Sequence, residues 1–206
     1  MAVRLLIIAG MPASGKSTVA SLLAKKFGYP VLEKDELKEA LFDTVGFECY
    51  AEKRRLDTAA TAVLLRASTS LIEGGVSHVI VNNFRTDFEE EVRRITDRKD
   101  VNALTVFFSG DSDVFYQRYV DRDLRLARHL GHALQEHYPP REGDPETYAM
   151  TREEFREKFE ALGMDSFDAG CKRIEVDATY PDRIDIDSLA EKIEKAFSDT
   201  EKAGQN

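Results

Sequence analysis

The sequence predicts an α/β fold in which about five mostly parallel strands carry helices on both faces of the sheet. The first predicted strand, at residues 3–9, is apolar except at Arg4, as is typical of a strand buried on both faces. Strand-like segments then alternate with amphipathic helical segments along the chain. Such alternation is typical of a three-layer parallel sheet with right-handed crossovers, where ligands bind at the carboxyl ends of the strands.

The predicted elements follow one another from the N-terminus, with strands at short apolar runs and helices where apolar residues recur three or four positions apart. Strands are expected at residues 3–9, 30–32, 77–82, 101–108 and 172–176. Helices are expected at residues 17–27, from about 35 towards 46, and at 51–73, 86–95, 114–125, 151–162 and 188–197. Three Ser/Thr-x-x-Glu pairs predict capping boxes, namely Thr86/Glu89, Thr151/Glu154 and Ser188/Glu191.

One domain is expected over residues 1–206, because a chain of this length can bury a full core without disulfides or metals. Apolar residues make up 42% and charged residues 33%, which is typical of a globular protein. The composition changes to Pro, Gly, His and charged residues within about 126–170, which indicates an inserted lid or substrate region. Residues 198–206 are expected to form a disordered tail.

Several classes of function are disfavoured by composition. The formal net charge of −9 argues against broad electrostatic binding of nucleic acid or anionic membranes. No apolar run is long enough for a signal peptide or a membrane span, which predicts a cytoplasmic protein. Cys49 and Cys171 lack metal-site spacing and are expected to be free thiols. His129, His132 and His137 lack the Cys or carboxylate arrangement that would complete a zinc site.

The most specific motif lies between the first predicted strand and the first predicted helix. Gly10 and Gly15 enclose four residues and are followed by Lys16 and Ser17, which is the spacing of a phosphate-binding P-loop. The glycines permit backbone angles that turn successive N–H groups toward a phosphate. Lys16 supplies charge for the outer phosphates, and the Ser17 hydroxyl can bind Mg²⁺. The predicted nucleotide-binding residues are Gly10, Met11, Pro12, Ala13, Ser14, Gly15, Lys16, Ser17 and Thr18.

Polar residues follow the second and third predicted strands and are candidates for binding a phosphoryl acceptor. Asp35 is expected on the rim that faces the phosphates, where a carboxylate could take or orient the proton of an acceptor hydroxyl. The pattern is equally compatible with Asp35 as an N-cap, and Glu33 and Glu36 are weaker candidates for the same role. Asn83 and Arg85 could clamp the acceptor or lie on the solvated surface.

Arg118, Arg122 and Arg125 recur at the spacing of one helical face, and Arg128 lies further round if the helix continues. Arginines on one narrow stripe repel one another unless anions lie among them. They could pair with neighbouring aspartates for a few tenths of a kcal/mol each. Alternatively, they form a lid that neutralises charge on a transferring phosphoryl group, and this second interpretation is favoured.

The third predicted strand ends without the aspartate that usually holds Mg²⁺ in P-loop NTPases. Asn82 and Asn83 stand there instead. Mg²⁺ is therefore expected to depend on Ser17, nucleotide oxygens and water, with Asp35 as a further candidate. Whether Asn82 replaces the acidic ligand is not given by the sequence.

The sequence resembles the small P-loop kinases of the AAA-type or zeta-toxin-like group, relatives of gluconate kinases, chloramphenicol phosphotransferases and the kinase domain of polynucleotide kinases. The resemblance covers most of the chain outside about 45–75 and 133–170. It rests on the P-loop, on Lys34-Asp35-Glu36-Leu37, and on residues 79–85, 118–122, 128–132, 177–179 and 184–186.

The resemblance implies a kinase that moves the γ-phosphoryl group of ATP to a hydroxyl of a small molecule, with Mg²⁺. It implies that Lys16, Ser17 and Thr18 bind ATP and Mg²⁺, that Asp35 is the acceptor-side base and that Arg122 is a lid arginine. Arg118 is expected near the adenine or the phosphates. Neither the acceptor nor the oligomeric state can be read from the sequence.

Two alternatives stay open at this point: an ATP-binding protein without catalysis, and a polynucleotide 5′-hydroxyl kinase. A regulatory GTPase is disfavoured because the chain has no Asn-Lys-x-Asp guanine-binding motif. A mechanical AAA ATPase is disfavoured because no acidic pair follows the third predicted strand.

Overall fold

A computed structural model describes residues 2–124, 128–134, 136–144 and 150–203. Its centre is a sheet of five strands in the order β2-β3-β1-β4-β5, and every neighbouring pair is parallel. The predicted parallel α/β fold is therefore confirmed, and each predicted strand lies within one residue of an observed one. The strands are β1 Val3–Gly10, β2 Val31–Glu33, β3 His78–Val81, β4 Val101–Ser109 and β5 Lys172–Asp177.

The helices lie on both faces of this sheet. Short 3₁₀ turns at Thr86–Phe88 and Pro181–Arg183 precede two of them. The helices are α1 Lys16–Phe27, α2 Lys34–Val45, α3 Tyr50–Glu73, α4 Glu89–Thr96, α5 Ser112–Leu124, α6 Leu130–Ala133, α7 Arg152–Ala161 and α8 Ile186–Ala203.

Two apolar cores sandwich the sheet because alternate residues of each strand point to opposite faces. Leu6 and Ile8 of β1 face one core, which α1, α5, α7 and α8 cover. Leu5 and Ile7 face the other core, which α3 and α4 cover. All four side chains are fully buried, so β1 is the central strand of the protein.

The carboxyl ends of β1, β2 and β3 lie at the same edge of the sheet. Ile8 is in register with Val81, so the loops after β1 and β3 leave the sheet side by side. The chain passes from β1 through α1 on one face, and from β3 through α4 on the other. Such a point in an open α/β sheet forms a crevice between the two strands, and ligands bind there.

One of the three predicted capping boxes forms, and the other two do not. At the start of α7, Thr151 and Glu154 cap each other through both reciprocal hydrogen bonds. At Thr86/Glu89 the prediction is wrong, because Thr86 begins a 3₁₀ turn and α4 starts only at Glu89. The Glu89 carboxylate instead accepts a hydrogen bond from the backbone N–H of Asp168 at 2.9 Å.

The predicted box at Ser188/Glu191 is also wrong, because α8 begins two residues before Ser188. Asp185 accepts hydrogen bonds from the backbone N–H groups of Asp187 and Ser188, each at 3.0 Å. An aspartate upstream therefore caps the helix and moves its start toward the N-terminus.

The predicted disordered tail at 198–206 needs correction, because α8 continues through Ala203. Arg4 of β1 forms ion pairs with Glu194 and Glu201 of α8, both at 2.9 Å. The amide of Asn102 donates to the carbonyl of Phe197 at 3.0 Å. These bonds hold the end of the helix against the sheet, and residues 204–206 lie outside the described part of the chain.

The predicted insert at about 126–170 contributes α6 and α7, which pack on the helices around them. Phe155 of α7 contacts the rings of Tyr116 and Tyr119 of α5, with centroid distances of 5.8 and 5.3 Å. A Cβ on Gly131 of α6 would lie 2.3 Å from the ring of Phe42, so α6 sits directly on α2. Residues 125–127, 135 and 145–149 lie outside the described ranges.

Within the described ranges, no helix is long and apolar enough to cross a membrane. Cys49 and Cys171 are free thiols, as predicted.

Candidate active site

The P-loop leaves β1 through a backbone that only glycine fits. Gly10 has φ 127°, and a Cβ on it would lie 2.2 Å from the carbonyl oxygen of Phe108 on β4. Gly15 has φ 84° and directly precedes α1. Ala13 also has a positive φ, of 60°, which is uncommon for a residue with a side chain. The predicted strand–loop–helix arrangement is therefore present at residues 10–18.

Lys16, the first residue of α1, is folded back over the loop. Its ammonium donates hydrogen bonds to the carbonyl of Met11 at 2.5 Å and to the Ser14 hydroxyl at 3.2 Å. Burial lowers the pKa of Lys16 to about 7, although the nearby Asp35 carboxylate opposes this shift. The lysine therefore has acceptors inside the loop itself.

A cavity of about 160 Å³ opens above the P-loop, and we call it the loop cavity. It reaches from α1 across the ends of β2 and β3 to α5. Its lining residues are Ala13, Gly15, Lys16, Ser17, Thr18, Glu33, Asp35, Val81, Asn82, Asn83 and Arg122.

Three groups in the loop cavity have the chemistry of Mg²⁺ ligands. The Ser17 hydroxyl donates a hydrogen bond to the Glu33 carboxylate at the end of β2. Burial raises the pKa of Glu33, against the effect of the Ser17 bond. The side-chain oxygen of Asn82 is buried and has no hydrogen-bond partner. Hydroxyl, carboxylate and amide oxygens are ligands that Mg²⁺ accepts directly or through water, so this donor set fits the metal.

A second cavity, of about 140 Å³, lies between α2, α3, α5 and α7, and we call it the basic cavity. Its described lining contains eight Lys or Arg residues and only two carboxylates, Asp35 and Asp57. This local excess of positive charge contrasts with the net charge of −9 of the whole chain. The eight basic residues are Lys34, Lys38, Lys53, Arg54, Arg85, Arg122, Arg128 and Lys158.

The two carboxylates pair with lysines of α2 on one wall of the basic cavity. Lys34 lies 3.0 Å from Asp35 and 2.9 Å from Asp57, and Lys38 lies 3.0 Å from Asp57. Burial acts to raise the pKa of Asp35, but Lys34 and Lys38 hold it well below its usual range. The same two lysines lower the pKa of Asp57 against its burial. Both carboxylates are therefore anionic near neutral pH.

Arg85 and Asn83 come from the loop after β3. The Arg85 guanidinium donates two hydrogen bonds to Asp87, at 2.9 and 2.8 Å, and lies 3.6 Å from Asp57. Arg85 is 6% exposed and stacks over the ring of Phe88, so it is not the solvated surface residue that the sequence left open. Asn83 lines both cavities, and Arg85 lines the basic cavity.

Of the three stripe arginines that the structure describes, two line the basic cavity and one does not. Arg122 lines both cavities, and Arg128 lines the basic cavity. Arg118, one turn earlier on α5, donates hydrogen bonds to the carbonyls of Ala178 and Thr179 after β5, so it lines neither cavity. Arg125 lies outside the described residues.

The three histidines of the insert each pair with a different carboxylate. His132 lies 2.9 Å from Glu39 of α2, His129 lies 2.9 Å from Asp43, and His137 lies 2.8 Å from Asp144. Burial lowers the pKa of His132 to about 4, against the effect of Glu39. Among the residues that the structure describes, no cluster of three His, Cys, Asp or Glu side chains could hold a metal ion.

The two cavities meet at three residues, namely Asp35, Asn83 and Arg122, which line both. Asp35 is in the first turn of α2, Asn83 follows β3, and Arg122 is near the end of α5. A group bound in one cavity can therefore react with a group bound in the other, with a carboxylate, an amide and a guanidinium between them.

Sequence reasoning missed several residues of the site. Glu33 was a weak candidate for the base, whereas the structure places its carboxylate on the Ser17 hydroxyl. Lys53, Arg54 and Asp57 occupy the first turns of α3, a segment outside the resemblance. Lys158 of α7 lies in the insert. The sequence does show two cations and an acid, Lys53, Arg54 and Asp57, near the start of a predicted helix. It does not show which distant residues share a cavity with them.

Comparison with protein families places residues 6–129 in an AAA domain family, AAA_18. The match covers more than half of the chain, and the protein therefore belongs to this family. No match was found among curated proteins.

Solved structures share the fold over nearly the whole chain. A protein of Chloroflexus aurantiacus described as a candidate kinase is 22% identical with a TM-score of 0.73, over 96% of this chain and 97% of that one. A gluconokinase of Sinorhizobium meliloti is 14% identical with a TM-score of 0.54, over 95% and 91%. A shikimate kinase of Bacteroides thetaiotaomicron is 19% identical with a TM-score of 0.51, over 95% and 98%. The chain thus has the fold of the small P-loop kinases.

Proposed function

We propose that the protein is an ATP-dependent phosphotransferase that moves the γ-phosphoryl group to a hydroxyl of a small molecule. ATP occupies the loop cavity, and the acceptor occupies the basic cavity. The observation that carries this proposal is the meeting of the two cavities at Asp35, Asn83 and Arg122. Phosphoryl transfer depends chiefly on placing the two reactants in line and stabilising charge between them, and a shared boundary of this kind supplies both.

On the ATP side, the loop backbone and the start of α1 hold the phosphates. The N–H groups at the N-terminus of α1 and the positive end of its dipole favour an anion at this point. The Lys16 ammonium exchanges the Met11 carbonyl for phosphate oxygens, which are stronger acceptors because they are charged. The phosphates also favour the charged form of Lys16, whose pKa is about 7 in the protein alone.

Ser17, Glu33 and Asn82 would hold Mg²⁺, directly or through water. When bound, the metal supplies positive charge that neutralises the phosphate oxygens. Glu33 thereby takes the place of the missing aspartate after β3, with Asn82 as a neutral helper. The Glu33 carboxylate, raised in pKa by burial, is stabilised in its charged form by a cation.

On the acceptor side, Asp35 orients the attacking hydroxyl. Its low pKa means that it is anionic before the reaction and accepts a hydrogen bond from the hydroxyl. As the hydroxyl oxygen forms its bond to phosphorus, its proton becomes more acidic and passes to the Asp35 carboxylate. Arg122 donates to the phosphoryl oxygens between the cavities, where a guanidinium stabilises the charge of the transition state.

Replacement of the Asp35 carboxylate tests the proposal. Asp35→Asn keeps size but removes the charge, and we expect turnover of ATP with acceptor to fall about 10²–10⁴-fold while ATP still binds. Glu36→Gln is the matched control, because Glu36 is exposed and lines neither cavity. Steady-state rates and ATP binding by calorimetry give the two readouts, and unchanged turnover in Asp35→Asn would remove Asp35 from the mechanism.

The acceptor is sought with a panel of sugars, sugar acids, nucleosides, antibiotics and oligonucleotides with 5′-hydroxyl ends, each scored for ATP consumption. Turnover with a small molecule supports the proposal. Turnover with oligonucleotides alone identifies a polynucleotide kinase instead. Tight ATP binding without turnover on any member identifies a binding protein without catalysis.

A further inference from the structure

We infer that the acceptor is a small hydroxyl compound that also carries an oxyanion, a carboxylate or a phosphate, and that Arg54 and Lys158 bind this group. The role of the ligand as a phosphoryl acceptor rests on the proposed function. Binding of its anionic group by Arg54 and Lys158 does not depend on catalysis. It assigns a substrate class and two specificity residues that the phosphoryl-transfer chemistry does not require.

The charges on the α2 wall of the basic cavity are already matched. Lys34 and Lys38 share Asp35 and Asp57, while Arg85 binds Asp87 through two hydrogen bonds. An anionic ligand at this wall would therefore have to displace carboxylates of the protein. The excess positive charge lies elsewhere.

Two further cations line the basic cavity from α3 and α7. Arg54 of α3 is exposed and Lys158 of α7 is half-buried, and neither forms an ion pair with a carboxylate among the described residues. Lys158 contacts only aromatic faces, with its ammonium 5.8 Å from the ring centroid of Tyr50 and 5.9 Å from that of Phe159. Converging cations in a concave surface raise the local concentration of anions.

Lys53, a buried residue of the basic cavity, is affected by the same positive charges. It is 9% exposed and donates hydrogen bonds to the backbone carbonyls of His132 and Leu134 rather than to a carboxylate. Burial lowers its pKa to about 7, and the charges of Lys38, Arg128 and Lys158 lower it further. Three neighbouring cations therefore act on Lys53 at this wall of the basic cavity.

The rest of the lining limits the ligand to a small molecule. Phe159, Leu162 and Met164 form an apolar side of the cavity, and its volume is only about 140 Å³. A ligand that fills it has its hydroxyl at Asp35 and Asn83 and its oxyanion toward Arg54 and Lys158.

The binding test uses matched probes with the loop cavity filled by a non-hydrolysable ATP analogue and Mg²⁺. Gluconate and glucose 6-phosphate are compared with glucose, and glycerol 3-phosphate with glycerol, by thermal shift and calorimetry. We expect at least one acid to bind and the neutral compounds to bind at least 10-fold more weakly. The carboxylate and phosphate probes tell the two sources of the oxyanion apart.

The residue test uses Arg54→Gln, Lys158→Gln and the double variant. Each single change is expected to raise the dissociation constant of the acid about 10–100-fold, as for loss of a charge-assisted hydrogen bond. Arg55→Gln is the control, because Arg55 is exposed on the same helix and does not line the cavity. ATP affinity is measured alongside and is expected to stay the same in all variants.

Loss of acid binding in the double variant supports the inference even if no panel member is phosphorylated, in which case only the proposed function fails. The inference is overturned if neutral and acidic probes bind alike, if none of the acids binds, or if the double variant binds the acid as the wild type does. Binding of 5′-hydroxyl oligonucleotides through Arg54 and Lys158, without binding of small acids, also overturns it.

Discussion

The loop cavity and the basic cavity share three residues but are built in different ways. The loop cavity takes five of its eleven lining residues from one contiguous segment, residues 13–18. The other six come from the ends of β2 and β3, the residues just after them, and Arg122 of α5. The basic cavity is assembled from α2, α3, α5, α6 and α7, which are distant in sequence. Under the proposed function, the loop cavity binds phosphate mainly with backbone groups, whereas the basic cavity binds the acceptor with side chains.

This difference indicates which parts of the site can change independently. A backbone cradle depends on glycines at fixed angles, such as Gly10 against Phe108, and tolerates little variation. We expect that side chains such as Arg54 and Lys158 can be exchanged without altering the fold, and therefore that the basic cavity sets acceptor specificity. The following predictions test this division of labour.

The largest expected effect is at the loop cavity. Lys16→Ala is expected to abolish the thermal stabilisation by ATP and with it turnover, because the only lysine of the loop is removed from the phosphates. Binding of the acid probe in the basic cavity is expected to remain. Differential scanning fluorimetry with ATP and with the probe measures both.

Lys25→Ala is the control for this change, because Lys25 lies on α1 and is exposed. If Lys16→Ala keeps its stabilisation by ATP, the loop does not bind the triphosphate as argued. If it loses binding of both ligands, the two cavities are not separate sites.

The next largest effect is expected at the boundary. Arg122→Ala should lower kcat about 10³-fold and raise KM for ATP much less, because the guanidinium acts mainly in the transition state. Arg118→Ala, one turn away, should lower Tm, since it removes two hydrogen bonds to the Ala178–Thr179 loop, and should change KM for ATP more than kcat if Arg118 lies near the adenine as predicted. Equal losses of kcat and ATP affinity in Arg122→Ala would make it a simple binding residue.

The smallest effect concerns acid stability of the basic cavity. Burial holds the pKa of His132 at about 4, below the value of about 6.5 in an unfolded chain. Between pH 6.5 and 4 the unfolded state therefore binds a proton that the folded state does not, and the free energy of unfolding falls by about 2–3 kcal/mol. His132→Gln keeps a donor for Glu39 and is expected to make this decline shallower.

Urea unfolding at pH 7, 6 and 5 measures the decline. Part of it is expected to remain in the variant, because burial also lowers the pKa of His78, the first residue of β3, which hydrogen-bonds Ser68 of α3. His137→Gln is the control outside the basic cavity. An unchanged slope in His132→Gln would show that His132 takes up its proton without cost to folding.

The same division explains what could be predicted from the sequence. The strands and the P-loop depend on local patterns, namely apolar runs and the Gly-x₄-Gly-Lys-Ser spacing, and these were predicted within one residue. Asp35, Asn83 and Arg85 follow strands, so parallel-sheet topology was enough to place them near one another. Whether these residues have the predicted catalytic and binding roles is for the experiments above to decide.

Contacts between distant segments could not be predicted. The hydrogen bond from the Ser17 hydroxyl to the Glu33 carboxylate joins the P-loop to the end of β2. Arg54 and Lys158 line the same cavity although they are distant in sequence. Arg118 and Arg122 share a helical face, but a rise of one turn is enough to send one to the β5 loop and the other to the cavities. Helical spacing predicts which residues share a face of the helix, but it does not predict which other segment each of them contacts.

The hydrogen bond from Lys16 to the Met11 carbonyl has a consequence for selectivity among anions. Every incoming anion must compete with this internal acceptor before it gains the lysine. Inorganic phosphate and a nucleoside triphosphate must both break the hydrogen bond between Lys16 and Met11. The triphosphate offsets that free-energy cost with more contacts than inorganic phosphate can make. We therefore expect this bond to make the loop cavity bind a nucleotide in preference to small anions.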